Sequence, residues 1–302
     1  MQLPDLLNNN NLFLNLNGLI QRENESLNQV KDEIFSRGTS ALLHLIRIQD
    51  LNKNCIAEFS LYENQLINIK DTKIVYSSES LGFLLNEISP LFGTLRMLQN
   101  LSIKLLNVLG VNTLPNSIND YMKKSEKHKV EQKLHDKIRV YWESTGEILK
   151  HYRDIDQHYK WLFRRYFLQI KGIKTIIIEL PDNPETKSPK KFTYSKNINA
   201  IDFLNNAFKE IHDLIENIAI EYGGVKTKHN QGLSMDQLGE LTPFSNRTIS
   251  FMYLKYIKPV SGKNTMHLEG IGMDQLDTGK LTIRKYFLDE KNLEQAKRLY
   301  GK

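Results

Sequence analysis

The sequence predicts a mainly α-helical protein, α+β overall: a four- or five-helix bundle with an inserted β-hairpin and small mixed regions at both ends. Three observations predict it. Between Leu81 and Tyr222, apolar residues recur at the three-and-four spacing of helices that bury one face. Inside that stretch, Gly172–Ser195 replaces the helical period with a β-branched run, two prolines followed by a third, and a second short apolar run. On either side of the helical stretch, short β-rich runs alternate with Asn, Asp and Lys clusters.

Taken in order, Glu25–Phe35 reads as a helix, interrupted near Arg37-Gly38. Leu43–Ile48, Ile56–Leu61, Leu66–Ile69 and Lys73–Tyr76 suit a small antiparallel sheet within residues 1–76, although Ala41–Ile48 also fits a continued helix. Ser77–Ser80 offers N-cap side chains to the run Leu81–Leu109, which Pro90 and Gly93 kink or divide and Gly110 closes. A second helical region opens at Asn116-Ser117. From Leu134 to Tyr166, apolar or aromatic residues fall at 134, 138, 141, 148, 152, 155, 159, 162 and 166, with one gap of seven around Gly146. That is the stripe of one long packed helix. Ile173–Leu180 reads as a strand, Pro181–Lys190 as a turn and Lys191–Ser195 as the return strand. A further helix, Ile198–Tyr222, stops at Gly223-Gly224. The tail offers strands at Thr248–Ile257, Thr265–Glu269 and Leu281–Phe287, then a short helix from Glu290 to Leu299. The implied organisation is a mixed region over 1–76, a bundle over 77–224 with its hairpin at 173–195, and a mixed extension over 225–302.

Composition narrows the function classes. Hydrophobic residues are 40% and charged residues 25%, ordinary for a globular chain. The single Cys55 excludes an intramolecular disulfide and a cysteine-rich zinc site. The first twenty residues have no basic segment, and Asn interrupts their apolar positions, so no signal peptide is expected. No apolar run approaches the roughly 20 residues that span a bilayer, and a cytoplasmic protein without membrane partners is expected. Net charge is +6, and Ser117–Thr175 alone holds fourteen Lys or Arg against eight Asp or Glu. Such a concentration attracts nucleic acid or another anionic partner, or else lines a solvated helix face. There is no P-loop, dinucleotide-binding glycine fingerprint, His-Glu-x-x-His or Gly-x-Ser-x-Gly elbow.

What remains is the polar density of His151-Tyr-Arg-Asp-Ile-Asp-Gln-His158. Arg153, the polar Asp154, three further residues and His158 resemble the Arg-polar-x(3–5)-His signature of the HEPN superfamily. Arg37 and His44 meet the bare spacing, but Gly38 lacks the polar character. The resemblance implies a helical bundle, a homodimer that joins two motifs in one cleft, and metal-independent endoribonuclease activity without a cofactor. It also implies a toxin–antitoxin or phage-defence setting, with an antitoxin as protein partner. The residue types suit that chemistry. His158 would serve as general acid–base on the ribose 2′-hydroxyl and the leaving oxygen. Arg153 would clamp the scissile phosphate, and Asp154 would orient either neighbour. On a straight helix, positions five apart differ by about 140°. Arg153 would then point away from the apolar stripe while His158 flanks it, which favours a site shared by two chains.

Two other readings stay open. Glu147, His151, Asp154 and His158 lie at i, i+4, i+7 and i+11, a strip able to ligate zinc, iron or manganese, with His212 and Glu216 as the only tempting complements. Alternatively the strip is a hydrated helix face with i,i+4 pairing, on a non-catalytic module that binds RNA or a protein. Downstream, Lys160, Arg164 and Arg165, with Trp161, lie among aromatics in a pattern suited to RNA contact, while Tyr159, Leu162 and Tyr166 belong to the core stripe. Lys187, Lys190 and Lys191 would add a second basic contact or a plain solvated loop.

Overall fold

A computed structural model describes residues 12–19, 24–61, 73–111, 113–124, 130–159, 162, 165–170 and 172–227, together with strands at 249–255, 267–272 and 282–287. The fold is mainly helical with one antiparallel sheet. A single turn, α1 (Leu14–Asn17), precedes the long α2 (Glu25–Ser60). Asn24 caps α2 by accepting the Leu27 N–H at 3.1 Å. Its buried residues Leu27, Val30, Ile34, Ala41, Leu42, Leu45, Ile48, Leu51, Cys55 and Phe59 form one continuous stripe. The small N-terminal sheet therefore reduces to β1 (Lys73–Ser78): residues 43–48 and 56–60 are helical, and Leu66–Ile69 lies outside the described residues. Gly38 does not interrupt α2. A Cβ there would stand 2.3 Å from Cε2 of Phe13, so the glycine is the gap that admits this ring.

Ser78 caps α3 (Glu79–Val108) by accepting the Leu81 N–H at 3.1 Å. The helix runs unbroken through Pro90, whose ring lies on the exposed face, and ends before Gly110 at φ 120°. α2 and α3 pack along each other as an antiparallel pair. After α4 (Ile118–Lys123), capped by Ser117, come α5 (Gln132–Tyr141), a π-helical turn (Trp142–Gly146) and α6 (Glu147–Tyr159). α7 (Ala200–Glu221), capped by Asn199, packs on α3 and α5 and stops before Gly223 at φ 85°. Among the described residues no helix is long and apolar enough to cross a membrane.

The long helix expected over 134–166 ends at Tyr159, because Tyr166 opens β2 (Tyr166–Gln169). β2 pairs with β3 (Thr175–Leu180), so the inserted hairpin is β2–β3. Residues 191–195 form no return strand: 3-10 turns at Pro184–Thr186 and Pro189–Lys191 lead to β4 (Ile198–Asn199), which closes on β3. The tail contributes β5 (Ile249–Lys255), β6 (His267–Gly272) and β7 (Thr282–Phe287), close to the expected strands, while Glu290–Leu299 lies outside the described residues. The seven strands of the described residues form one sheet in the order β4-β3-β2-β1-β5-β6-β7. The alternating residues Ile74, Leu168, Ile176, Ile178 and Leu180 are buried, and β3 packs against α2 and α7.

Candidate functional site on the α6 face

The π-helical turn sets the phase of α6. Gln99 of α3, fully buried, donates from Nε2 to the Tyr141 hydroxyl at 2.7 Å and to the Gly146 carbonyl at 3.0 Å. The widened turn buries Thr145, which fills the seven-residue gap in the apolar stripe. The stripe then resumes at Leu149 rather than at Ile148, which is 37% exposed. Leu149, Tyr152 and Ile155 face the core, and the Tyr152 hydroxyl donates to the Pro181 carbonyl at 2.7 Å.

This phase reverses the orientation expected for two site residues. Arg153 is half-buried beside α3, and its Nε is enclosed without a hydrogen-bond partner. His158 is exposed. Asp154 lies between them. Its carboxylate accepts from Lys150 Nζ at 3.1 Å and from Arg153 Nη1 at 3.2 Å. It precedes His158 by four residues, one helical turn on the same face. Burial alone would raise the Asp154 carboxyl, but the hydrogen bonds and charges of Lys150 and Arg153 outweigh it and hold the group below the usual carboxylate range.

The sequence signature did not include Arg96. This α3 side chain stacks over Trp142 at 5.9 Å and donates to Gln99 Oε1 at 2.7 Å. Burial pushes its guanidinium downward, Asp154 opposes that shift and Arg153 adds to it, so the three charges share one locality. Arg96 remains a cation. Lys150 and Arg153 thus both contact the single carboxylate of Asp154, and its charge also acts on Arg96. A second unpredicted feature is Asp156, which accepts a hydrogen bond from the Ser89 hydroxyl; burial raises its carboxyl despite that bond. Nothing local in the sequence marks Arg96 or Ser89, since both come from a helix more than forty residues away.

The metal strip is not assembled. Among the described residues no group of three or more His, Cys, Asp or Glu could hold a metal ion. His151 Nε2 lies 3.9 Å from Glu147 Oε1, while Asp154 is turned to its cations. His151 has an enclosed Nδ1 without a partner, and burial lowers its basicity. His212 and Glu216 are far from this chemistry. Glu216 Oε1 accepts the N–H groups of Asn15 and Leu16, and His212 Nε2 accepts the Phe13 N–H at 3.3 Å. The pair caps α1 with a buried carboxylate, as an anion caps a helix N-terminus.

No protein family, curated protein or solved structure matches this chain.

The remaining basic residues divide. Lys160 and Arg164, with Trp161 and the side chain of Tyr159, lie outside the described residues. Arg165 is half-buried and already engaged: its Nε donates to Glu179 Oε2 at 2.8 Å, and its guanidinium covers Tyr194 at 4.5 Å. Lys73 Nζ holds the other oxygen of Glu179 at 3.0 Å, so this buried carboxylate links β1, β2 and β3. Leu162 is buried, whereas Tyr166 is half-buried in β2. Lys187 stands at φ 50° at the end of the first 3-10 turn, and its charge reaches His151.

Proposed function

We propose that this chain is a HEPN-like, metal-independent endoribonuclease whose site lies on the outer face of α6. The observation that carries the reading is the cluster at Asp154: Lys150 and Arg153 in contact, Arg96 beside them, and exposed His158 one turn further on. Two cations in contact with one carboxylate leave a local excess of positive charge, which suits a scissile phosphodiester. Arg153 retains donors that Asp154 does not use, and these would bind the non-bridging oxygens. His158 would take the proton of the ribose 2′-hydroxyl as that oxygen attacks phosphorus. A second protonated histidine would then deliver a proton to the departing 5′-oxygen, leaving a 2′,3′-cyclic phosphate. Arg153 and His158 stand about 140° apart around α6, so the second histidine is that of another copy of the chain. The toxin or phage-defence setting and an antitoxin partner belong to this same reading.

The test is RNA cleavage by the full chain in EDTA, alongside Arg153→Ala and His158→Ala. Cleavage that persists in EDTA and falls at least 100-fold in both variants supports the nuclease. Mixing the two inactive variants should leave cleavage low, since a mixed dimer retains only one of the two His158 side chains that the mechanism uses. RNA binding without cleavage, equal in all three proteins, overturns it in favour of a non-catalytic RNA-binding module. Activity abolished by EDTA would move the chemistry to a metal held by Glu147, His151, Asp154 and His158.

A further inference from the structure

One surface cavity stands apart from the α6 cluster yet borders it. It is an open cleft of about 440 Å³ between α2 and α3, lined by Glu33, Arg37, Met97, Asn100, Lys104 and Asn116, with Leu101 in its wall. The volume lies within the range of small-ligand sites. Its charges are unbalanced. Lys104 Nζ pairs with Glu33 at 2.8 Å, while Arg37 is exposed and has no ion-pair partner among the described residues. One cation is therefore left over. Among the described residues, Asn100 engages only its carbonyl oxygen, accepting the Ile118 N–H at 3.4 Å, and its NH₂ group has no partner. Asn116 is exposed, and its side-chain amide has no hydrogen-bond partner among the described residues. Met97 is 46% exposed, an uncovered apolar side chain between these polar groups.

A free guanidinium, two side-chain amides and a polarizable thioether form a set with a definite chemical complement. The guanidinium suits a phosphate. Amides carry a donor and an acceptor side by side, the pairing that reads a base edge. A methionine side chain offers soft contact to an aromatic ring. We propose that the cleft binds one nucleotide unit of a single-stranded RNA, with the phosphate on Arg37, the base against Met97, and Asn100 and Asn116 on its edge. Continuity favours a strand over a free nucleotide. Arg96, whose guanidinium feels the charges of Asp154 and Arg153, is the residue immediately before Met97 on α3, and α3 packs on α6, so the cleft and the α6 cluster border the same helix. This subsite rests on the proposal that α6 engages RNA.

The experiment measures fluorescence anisotropy of a labelled 12-nucleotide single-stranded RNA, with His158→Ala as background so that the probe stays intact. Arg37→Ala and Met97→Ala are compared with Lys53→Ala, a control about 24 Å along α2. Arg37→Ala should weaken binding about 10-fold and reduce the slope of log affinity against log salt by about 0.7, the loss of one phosphate contact. Met97→Ala should weaken binding about 5-fold and leave that slope unchanged. Lys53→Ala should match the background in both measurements. RNA binding that falls with Arg153→Ala but not with Arg37→Ala or Met97→Ala overturns the subsite and leaves the α6 reading standing. Absence of RNA binding in the background protein overturns both. In a separate arm, AMP binding that is lost in Arg37→Ala while RNA binding is unchanged in that variant assigns the cleft to a free nucleotide and overturns the strand subsite.

Discussion

Replacing Glu216 by alanine should be the most damaging single change on the buried face of α7. The residue is 8% exposed and its carboxylate receives four hydrogen bonds: the Asn15 N–H at 3.1 and 3.0 Å, the Leu16 N–H at 3.0 Å and Asn15 Nδ2 at 2.7 Å. The contacts involve three donor groups, because the Asn15 N–H is shared between the two oxygens. Each buried donor stranded without an acceptor costs about 1–3 kcal/mol. Water entering the vacated space recovers part of this, so the change should cost about 3–5 kcal/mol, in line with removal of one partner from a buried charged network. With a urea dependence of about 3 kcal/mol per molar, the unfolding midpoint should drop by roughly 1–1.7 M. Glu216→Gln keeps one acceptor oxygen but turns an NH₂ toward the N–H groups, and should lose about half as much. Equilibrium urea unfolding followed by far-UV circular dichroism measures the shift. Hydrogen exchange should lose its protection at Asn15 and Leu16 before it does so in α3. A midpoint within 0.2 M of wild type, or protection at those two amides unchanged, would refute the view that the carboxylate holds α1 in place.

Gly38→Ala drives a methyl group into the Phe13 ring and should cost about 1–3 kcal/mol, whereas Gly93→Ala, with nothing within 4 Å of the added Cβ, should stabilise α3 by about 0.5–1 kcal/mol. Thermal denaturation reads both, and equal signs would contradict the packing described. Gln99→Leu strands the Tyr141 hydroxyl and the Gly146 carbonyl and should cost about 1–3 kcal/mol; an unchanged melting temperature would count against its role in the π turn. Asp154 and Asp156 should respond oppositely to pH. The folded Asp154 carboxyl lies below its ordinary value of 3.8, so its contribution is present above that pH and is lost as pH falls through the folded value. The folded Asp156 carboxyl lies above 3.8, so its ionised form works against folding at neutral pH, and that burden lifts as pH falls through the folded value. Asp154→Asn should therefore be less stable than wild type near pH 7 and Asp156→Asn should not, with both differences narrowing toward acid in urea titrations. The same sign of pH dependence for both would be the contrary result.

The helical class, the cap at Ser78, the helix start at Ser117, the stop before Gly223 and the three tail strands were legible because each rests on local signals: short polar side chains, glycine, and β-branched runs. The first long helix was misread in part for an equally physical reason. Residues 43–48 are rich in Leu and Ile, which suit either element when viewed alone, and Gly38 resembles a break until Phe13 is seen in its gap. The phase of α6 was hidden by a polar residue, since Thr145 occupies a core position that an apolar stripe does not register. Within the candidate site, Arg153, Asp154 and Lys150 meet through spacing on one helix, which sequence can supply. Arg96 reaches them through packing of α3 on α6, which sequence spacing does not encode.

The placement of β1 in the sheet has a consequence during synthesis. Its first two residues pair with Gln169 and Leu168 on one side, and its last four pair with Met252 through Ile249 on the other. At a translation rate of about 5–20 residues per second, Met252 is joined to the chain roughly 10–35 s after Val75. Throughout that interval the second half of the strand has no permanent neighbour, and an open strand edge is a template for other chains. Ribosomal stalling between α7 and β5 would thus release a fragment that holds α1–α7 but an unfinished sheet, and its fate should depend on chaperone capture rather than on the stability of the bundle.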